Sequence, residues 1–393
     1  MSFSSPVRSL CLLFSTAALI APSLAVPTSS KCAAGPVCQD FFLSVTATSL
    51  IAQFPDSALA NLTDSSSVVA AIDTLAAKIN STVHTDVTGT YNISARYCEP
   101  NVTIADRKSS IQLLGHGITY TKNYWSALGE PGYEPEQYSW IRHASANGYP
   151  TLSIDRVGYG NSSHPDPLIV QSSLQAAVIA KIAEGLKEGQ FGLRSFKKVV
   201  YVGHSLGSVI GNTLATLFPD SVDGLMLTGY SAVAWYPVVL ATLPIPANLW
   251  NSSEFGDLSP GYMASSSYAN RRDLIFGHDG TFANELRVLE FEEQNTAPLG
   301  EIISIIPTVA TNFTGPVSVI TGYQDTAFCS TLSAEGACGE GDSSLPGQVK
   351  ILFPNSSNFT YYTPADMGHC LNIHYKAPEV FAYANNWFAD HGF

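Results

Sequence analysis

Three short segments carry residue types that could perform nucleophilic chemistry together: Gly203-His204-Ser205-Leu206-Gly207, Gly322-Tyr323-Gln324-Asp325 and Gly368-His369. A serine hydroxyl is a weak nucleophile until a base takes its proton. An imidazole can do so near neutral pH, and a carboxylate behind it fixes its tautomer and stabilises its charged form. Ser205, Asp325 and His369 supply these types in the order serine, acid, histidine. A fourth segment, Gly115-His116-Gly117-Ile118, offers what the set lacks, a backbone N–H able to face a developing oxyanion. Ile118 is the expected donor there, with Leu206, directly after the serine, as the second. Residues of these kinds do acyl chemistry: attack on a carbonyl, a tetrahedral intermediate and an acyl-enzyme.

Each segment needs an element to aim it. Val199 to Val202 is a β-branched run, and Val209, Ile210, Leu214 and Leu217 follow at helical spacing, so Ser205 sits at a strand-to-helix turn. Such a turn forces the serine into a strained conformation, and glycines on either side let strand and helix approach. Ser110 to Leu114, Pro316 to Thr321 and Tyr361 to Pro364 read as strands ahead of His116, Asp325 and His369. In an open parallel sheet the loops after such strands emerge on one edge, where distant residues converge. His374 lies one turn beyond His369 and Asp366 is close by, but neither directly follows a strand. An acid as early as Asp155 would break the chain order, so Asp155 and Arg156 read as a structural pair. The run Glu290-Phe291-Glu292-Glu293 reads as a solvated helix face. There is no C-x-x-C pair and no H-E-x-x-H, so neither a metal nor another cofactor is expected.

The 393 residues, 45% hydrophobic and 13% charged, suffice for a large core, and a formal net charge of −13 disfavours nucleic acid and anionic membrane surfaces as partners. Residues 1–25 read as a secretory signal: Arg8, an apolar stretch from Leu10 to Ala21, then Ser23-Leu24-Ala25 as a cleavage site. No later run reaches the roughly 18 apolar residues of a membrane span, so no stable membrane anchor and an extracellular location are expected. Of the 7 cysteines, Cys11 leaves with the signal; the remaining even number suits an oxidising compartment, with Cys329–Cys338 as the preferred local bridge. Sequons at Asn61, Asn80, Asn92, Asn101, Asn161, Asn251, Asn312, Asn355 and Asn358 suggest a glycoprotein, with Asn161, inside a tight loop, the least suited to use.

The remaining chain divides by its rhythm. Residues 26–85 read as an N-terminal extension with short helices at Cys38–Gln53 and Ser67–Ile79. Residues 86–231 alternate strand and helix, with a half-exposed strand at Tyr91–Tyr97, helices over Tyr138–Asn147 and Pro167–Glu188, and strands at Pro150–Ile154 and Val222–Thr228. That cadence predicts right-handed crossovers and a mostly parallel sheet. Residues 232–315 lose the sheet rhythm and carry Trp235, Tyr236, Pro237, Trp250, Tyr262 and Tyr268, which suits a mainly helical cap over the site. Residues 316–393 resume the sheet and close with a helix, Ala377–Phe388, expected against its far edge.

On His116-Gly117, Asp155-Arg156-Val157-Gly158, Gly203 to Gly207, Gly322 to Asp325 and Gly368-His369, the chain resembles the α/β-hydrolase superfamily, and within it secreted hydrolases of filamentous fungi. The resemblance spans Tyr91 to Phe393. It implies Ser205 as nucleophile, Asp325 as acid, His369 as base, and Ile118 and Leu206 as oxyanion donors. The single His-Gly is similar to the lidded lipase, epoxide-hydrolase and peroxidase-like branch, while a serine rather than an aspartate at the elbow points to acyl chemistry. The expectation is a secreted serine esterase cleaving a carboxylic ester or lactone of a medium-sized, apolar or lipid-like molecule. An acyltransferase with the same triad, or a non-catalytic binding protein on this fold, are the alternatives.

Overall fold

The computed structural model describes residues 35–232, 240–329, 338–339 and 341–393. The segment expected to be a signal (residues 1–25), Cys32 and Trp235 to Pro237 lie outside the described residues. The chain opens with β1 (Val37–Ala52), which pairs antiparallel along its whole length with β2 (His84–Glu99). The helix expected over Cys38–Gln53 is therefore a strand. Its inner positions Leu43, Val45 and Ala47 are buried while Ser44, Thr46 and Thr48 face out, a period of two that excludes a helical stripe. Its outer face is laced by hydroxyl pairs, Thr46–Thr90 and Thr48–Thr88, each 2.8 Å apart. A disulfide joins Cys38 to Cys98 at paired positions, so residues 37–52 are part of the central sheet rather than an appendage to it.

The sheet continues with β3 (Ser110–Gly115), β4 (Thr151–Ile154), β5 (Lys198–His204) and β6 (Gly224–Thr228). Between β6 and the next sheet strand lies the inserted segment, which contains β7 (Pro244–Pro246), β8 (Tyr262–Ser265) and β9 (Ala297–Pro298). These three form a small antiparallel sheet of their own among short helices, where no sheet was expected. Strands of two to four residues are too short to show a period in the sequence. The chain then returns with β10 (Val317–Ile320) and β11 (Phe359–Tyr362). Strand order is β1-β2-β4-β3-β5-β6-β10-β11, with β4 through β11 parallel.

Two apolar layers cover the sheet. On one face the helices Ser172–Glu188 and Leu206–Leu217 bury Leu174, Ile182, Val209 and Leu214 against Leu113, Tyr201 and Leu225. The first of these starts later than expected and stops at Gly189, whose φ of 74° suits a residue without Cβ. On the other face the helices Trp140–Ala146 and Ala377–Asp390 bury Trp140, Phe381 and Phe388 against Val200, Val202, Met226 and Ile320. The last helix thus lies over the central strands and reaches the edge strand β11 as expected, where Tyr383 stacks on Tyr362 with centroids 4.8 Å apart and donates to Thr360 Oγ1 at 3.3 Å. The Ser65–Lys78 helix, close to the span expected, is closed at its start by a reciprocal capping box between Asp64 and Ser67. Among the described residues no helix is long and apolar enough to cross a membrane.

Candidate functional site

β5 ends at His204 and a helix begins at Leu206, leaving Ser205 alone in the turn with φ 53° and ψ −120°. That region is strained for any residue with a Cβ. Two things hold it there. Ser205 N–H donates to Thr228 O at 2.8 Å, and its carbonyl accepts from Ser208 and Val209 in the first turn of the helix. The flanking glycines are steric necessities: a Cβ on Gly203 would lie 2.5 Å from Gly207 O, and one on Gly207 only 2.3 Å from Gly115 O. The elbow and the β3 loop are therefore packed backbone to backbone.

Asp325 sits in the turn after β10 and is fully committed. Its Oδ1 accepts from the N–H groups of Ala327 (2.8 Å) and Phe328 (2.9 Å), and Oδ2 pairs with His369 Nδ1 at 2.9 Å. Because the carboxylate accepts, Nδ1 of His369 carries the proton and Nε2 is left as the acceptor. The Phe328 ring stacks on the imidazole with centroids 5.6 Å apart. Ser205 and His369, with Ile118 and Leu206, line one cavity.

The loop after β3 packs against the serine turn. Gly117 lies against the serine, such that a Cβ there would come within 3.0 Å of Ser205 Cβ. Among the described residues neither the Ile118 nor the Leu206 N–H has a protein hydrogen-bond partner. For Leu206 this follows from its place as the first residue of a helix, whose leading N–H groups have no partner inside the helix.

The alternatives considered from sequence separate cleanly. His374 Nε2 accepts from the N–H groups of Gly277 and Gly368, both at 3.0 Å, so its proton is on Nδ1, facing Cys370 O at 2.9 Å. It is a structural tie between the inserted segment and the His369 loop. Asp366 is paired with Lys376 on the surface. Asp155 and Arg156 do not pair with each other: Asp155 holds Lys122, both its backbone N–H (2.7 Å) and its ammonium (3.0 Å), whereas Arg156 pairs with Glu301. Glu290 also corrects its expectation. It is buried, bridged to Arg271 and accepting from Tyr120, while Glu292 and Glu293 keep the solvated face.

Sequence reasoning missed the polar layer under the site. His204 stacks on Tyr124 with centroids 4.3 Å apart and reaches Cys370 Sγ at 3.3 Å. Cys370 is a free, buried thiol, pushed up by burial, and Tyr120 O–H touches it at 3.1 Å. The expected Cys329–Cys338 bridge is present. The contacts of Cys370 with His204 and Tyr120 leave no local signal, because each joins residues far apart in the chain.

Burial holds three imidazoles neutral. His374 is pushed down to about 4, and burial drives His116 and His204 well below the usual histidine range. An unfolded histidine takes its proton near pH 6.5, so between there and pH 4 the unfolded chain binds more protons. Stability is therefore full above that window and is lost as pH falls through it, by about 3 kcal/mol for His374 alone. Burial raises Glu301, which acts in the opposite sense. Thermal melts from pH 7 to pH 4 should show the decline, and His374→Gln should make it shallower while His116 and His204 keep the rest; identical slopes in the two proteins would remove His374 from the account.

A family model described as the alpha/beta hydrolase fold matches residues 114–252. An esterase from Thermogutta terrifontis superposes with a TM-score of 0.50 at 16% identity, covering 77% of this chain and 95% of its own. A bromoperoxidase from Bacillus anthracis gives 0.49 at 15% identity over 76% and 96%. An epoxide hydrolase from Vigna radiata gives 0.48 at 15% identity over 76% and 95%. No curated protein sequence gives a significant match. The sheet order, the strained serine between strand and helix, and the matched segment together identify this chain as a protein of the α/β-hydrolase fold.

Proposed function

We propose that this protein is a secreted serine hydrolase that cleaves a carboxylic ester or lactone through an acyl-enzyme. The observation that carries the reading is the Asp325–His369 hydrogen bond, which leaves Nε2 as the acceptor in the same cavity as Ser205. In the first half-reaction Ser205 Oγ bonds to the carbonyl carbon as its proton passes to His369 Nε2. The carbonyl π pair moves onto oxygen, which the N–H groups of Ile118 and Leu206 stabilise. Collapse breaks the ester C–O bond, and the leaving alkoxide takes the proton from His369. Water then repeats the sequence, with His369 as base, to release the acid and restore Ser205.

The cavity walls support an apolar substrate. Val209, Leu274, Ile275, Met263, Ile302 and Phe328 give a predominantly apolar lining drawn from both the core and the inserted segment. An apolar acyl or alcohol group gains about 25 cal/mol for each Å² removed from water there, and a charged one gains nothing comparable. The two disulfides suit the extracellular location that the N-terminal signal implies.

Fluorophosphonate labelling of the secreted protein, followed by peptide mapping, tests the reading. Modification confined to Ser205, with turnover of a graded ester panel, is the expected result. Absence of labelling in folded protein would leave a binding protein on this fold. An alcohol that captures the acyl group better than water would make the enzyme an acyltransferase.

A further inference from the structure

The loop 116–120 has every carbonyl from His116 to Thr119 in a hydrogen bond, yet it leaves the Ile118 N–H free. His116 O accepts from Arg156 Nε at 3.0 Å. Gly117 O accepts from His116 Nδ1 at 2.8 Å and from Arg156 Nη2 at 3.4 Å. That assignment is forced, because His116 Nε2 already accepts the Arg156 backbone N–H at 3.0 Å and the ring's proton must be on Nδ1. Ile118 O accepts from Thr119 Oγ1 at 2.7 Å, and Thr119 O from Asn295 N at 2.7 Å.

A trans peptide is planar, with its C=O and the following N–H pointing opposite ways. Whatever holds Gly117 O on one side therefore aims the Ile118 N–H to the other. Here the holders are His116 and Arg156, and Arg156 is fully buried with its charge balanced by Glu301 from the Leu299–Ile303 helix of the inserted segment. The next turn is pinned in the same manner. Thr119, at φ 56°, accepts from Arg271 Nη1 at 2.6 Å, and Arg271 is balanced by the buried Glu290, both on helices of the inserted segment.

Building on the esterase reading, we propose that Arg156, balanced by Glu301, is a positioning residue that aims the Ile118 oxyanion donor, with Arg271 and Glu290 fixing the adjoining Thr119. The inserted segment then does more than roof the cavity: its two buried carboxylates hold in place the arginines that shape the oxyanion loop. Arg156 is not among the residues that line the cavity, so its effect is separable from substrate binding.

Arg156→Lys retains a charge for Glu301 and loses the fork that reaches both carbonyls. Removing a well-aimed oxyanion donor costs on the order of 100-fold in kcat, so a misaimed one should cost roughly 10- to 100-fold with KM moved by less than about threefold. A trifluoromethyl ketone, which forms a tetrahedral adduct on Ser205 with its oxyanion in the same place, should lose affinity by the factor lost in kcat/KM. A purely structural role would lower the melting temperature without that matched loss. Thr119→Val removes the second anchor without altering a charge; because Thr119 lines the cavity, its KM is not a criterion there, and a loss in kcat matched by the loss in ketone affinity decides the matter if Arg156→Lys does not fold. Wild-type protein that fluorophosphonate fails to label overturns the esterase reading and this proposal with it. Labelled wild type, with kcat and ketone affinity unchanged in the folded variants, overturns this proposal alone.

Discussion

Ser205→Ala is expected to lower ester turnover by at least ~10⁴-fold, because a group that acts as one unit with its base loses nearly all of its effect when the nucleophile goes. Ser205→Gly should be equally inactive, yet more stable than Ser205→Ala. The reason is the backbone. At φ 53° and ψ −120° any Cβ is strained, at a cost of about 1–3 kcal/mol. Alanine keeps that Cβ and the strain, whereas glycine removes both. Glycine also gains about 0.4–1 kcal/mol of unfolded-chain freedom, so the net difference should be near 1 kcal/mol in favour of the glycine variant. Hydrolysis assays on an ester panel and thermal melts of the three proteins read both halves. Residual activity above about a tenth of wild type in Ser205→Ala would sink the nucleophile assignment, and a glycine variant less stable than the alanine variant would sink the strain account.

The difference between what was legible in the sequence and what was not follows the range of the interactions. The turn around Ser205 could be read locally, since it needs only a buried strand, two glycines without room for a Cβ, and a helix with apolar spacing. The parallel strands could also be read, because short buried runs alternate with helices. β1 could not: its Ser/Thr/Ala-rich alternation has a weak apolar signal, and the antiparallel partner that stabilises it begins 32 residues after β1 ends, 84 − 52. Glu290 was misread for a related reason. A carboxylate in an acidic run has no local mark of burial, and what buries it here is Arg271, 19 residues away, together with Tyr120, 170 residues away. His374 and His369 likewise differ only in what other parts of the chain present to their rings: two backbone N–H groups for one, a carboxylate for the other.

That last contrast sets the second large effect. Asp325→Asn should fold as the wild type does and lose about 10³- to 10⁴-fold in kcat. In the wild type, Oδ1 is held by two backbone N–H groups, from Ala327 and Phe328, and Oδ2 faces His369 Nδ1. An asparagine in the same rotamer must keep its carbonyl oxygen on those two donors, because its amide hydrogens cannot face them. Its NH2 is then turned towards His369, where it can only donate. The imidazole must answer by accepting at Nδ1, which moves its proton to Nε2, the atom that should receive the proton of Ser205. The base is present but in the wrong tautomer, and the carboxylate charge that would stabilise the imidazolium is gone. Because the cavity walls are untouched, KM should move little. Proton NMR of the imidazole would show the exchange of tautomers directly, and high pH should restore part of the activity if hydroxide can replace the missing base. A variant that keeps wild-type kcat, with His369 still protonated on Nδ1, would mean that the Asp325–His369 bond orients the loop without serving the reaction.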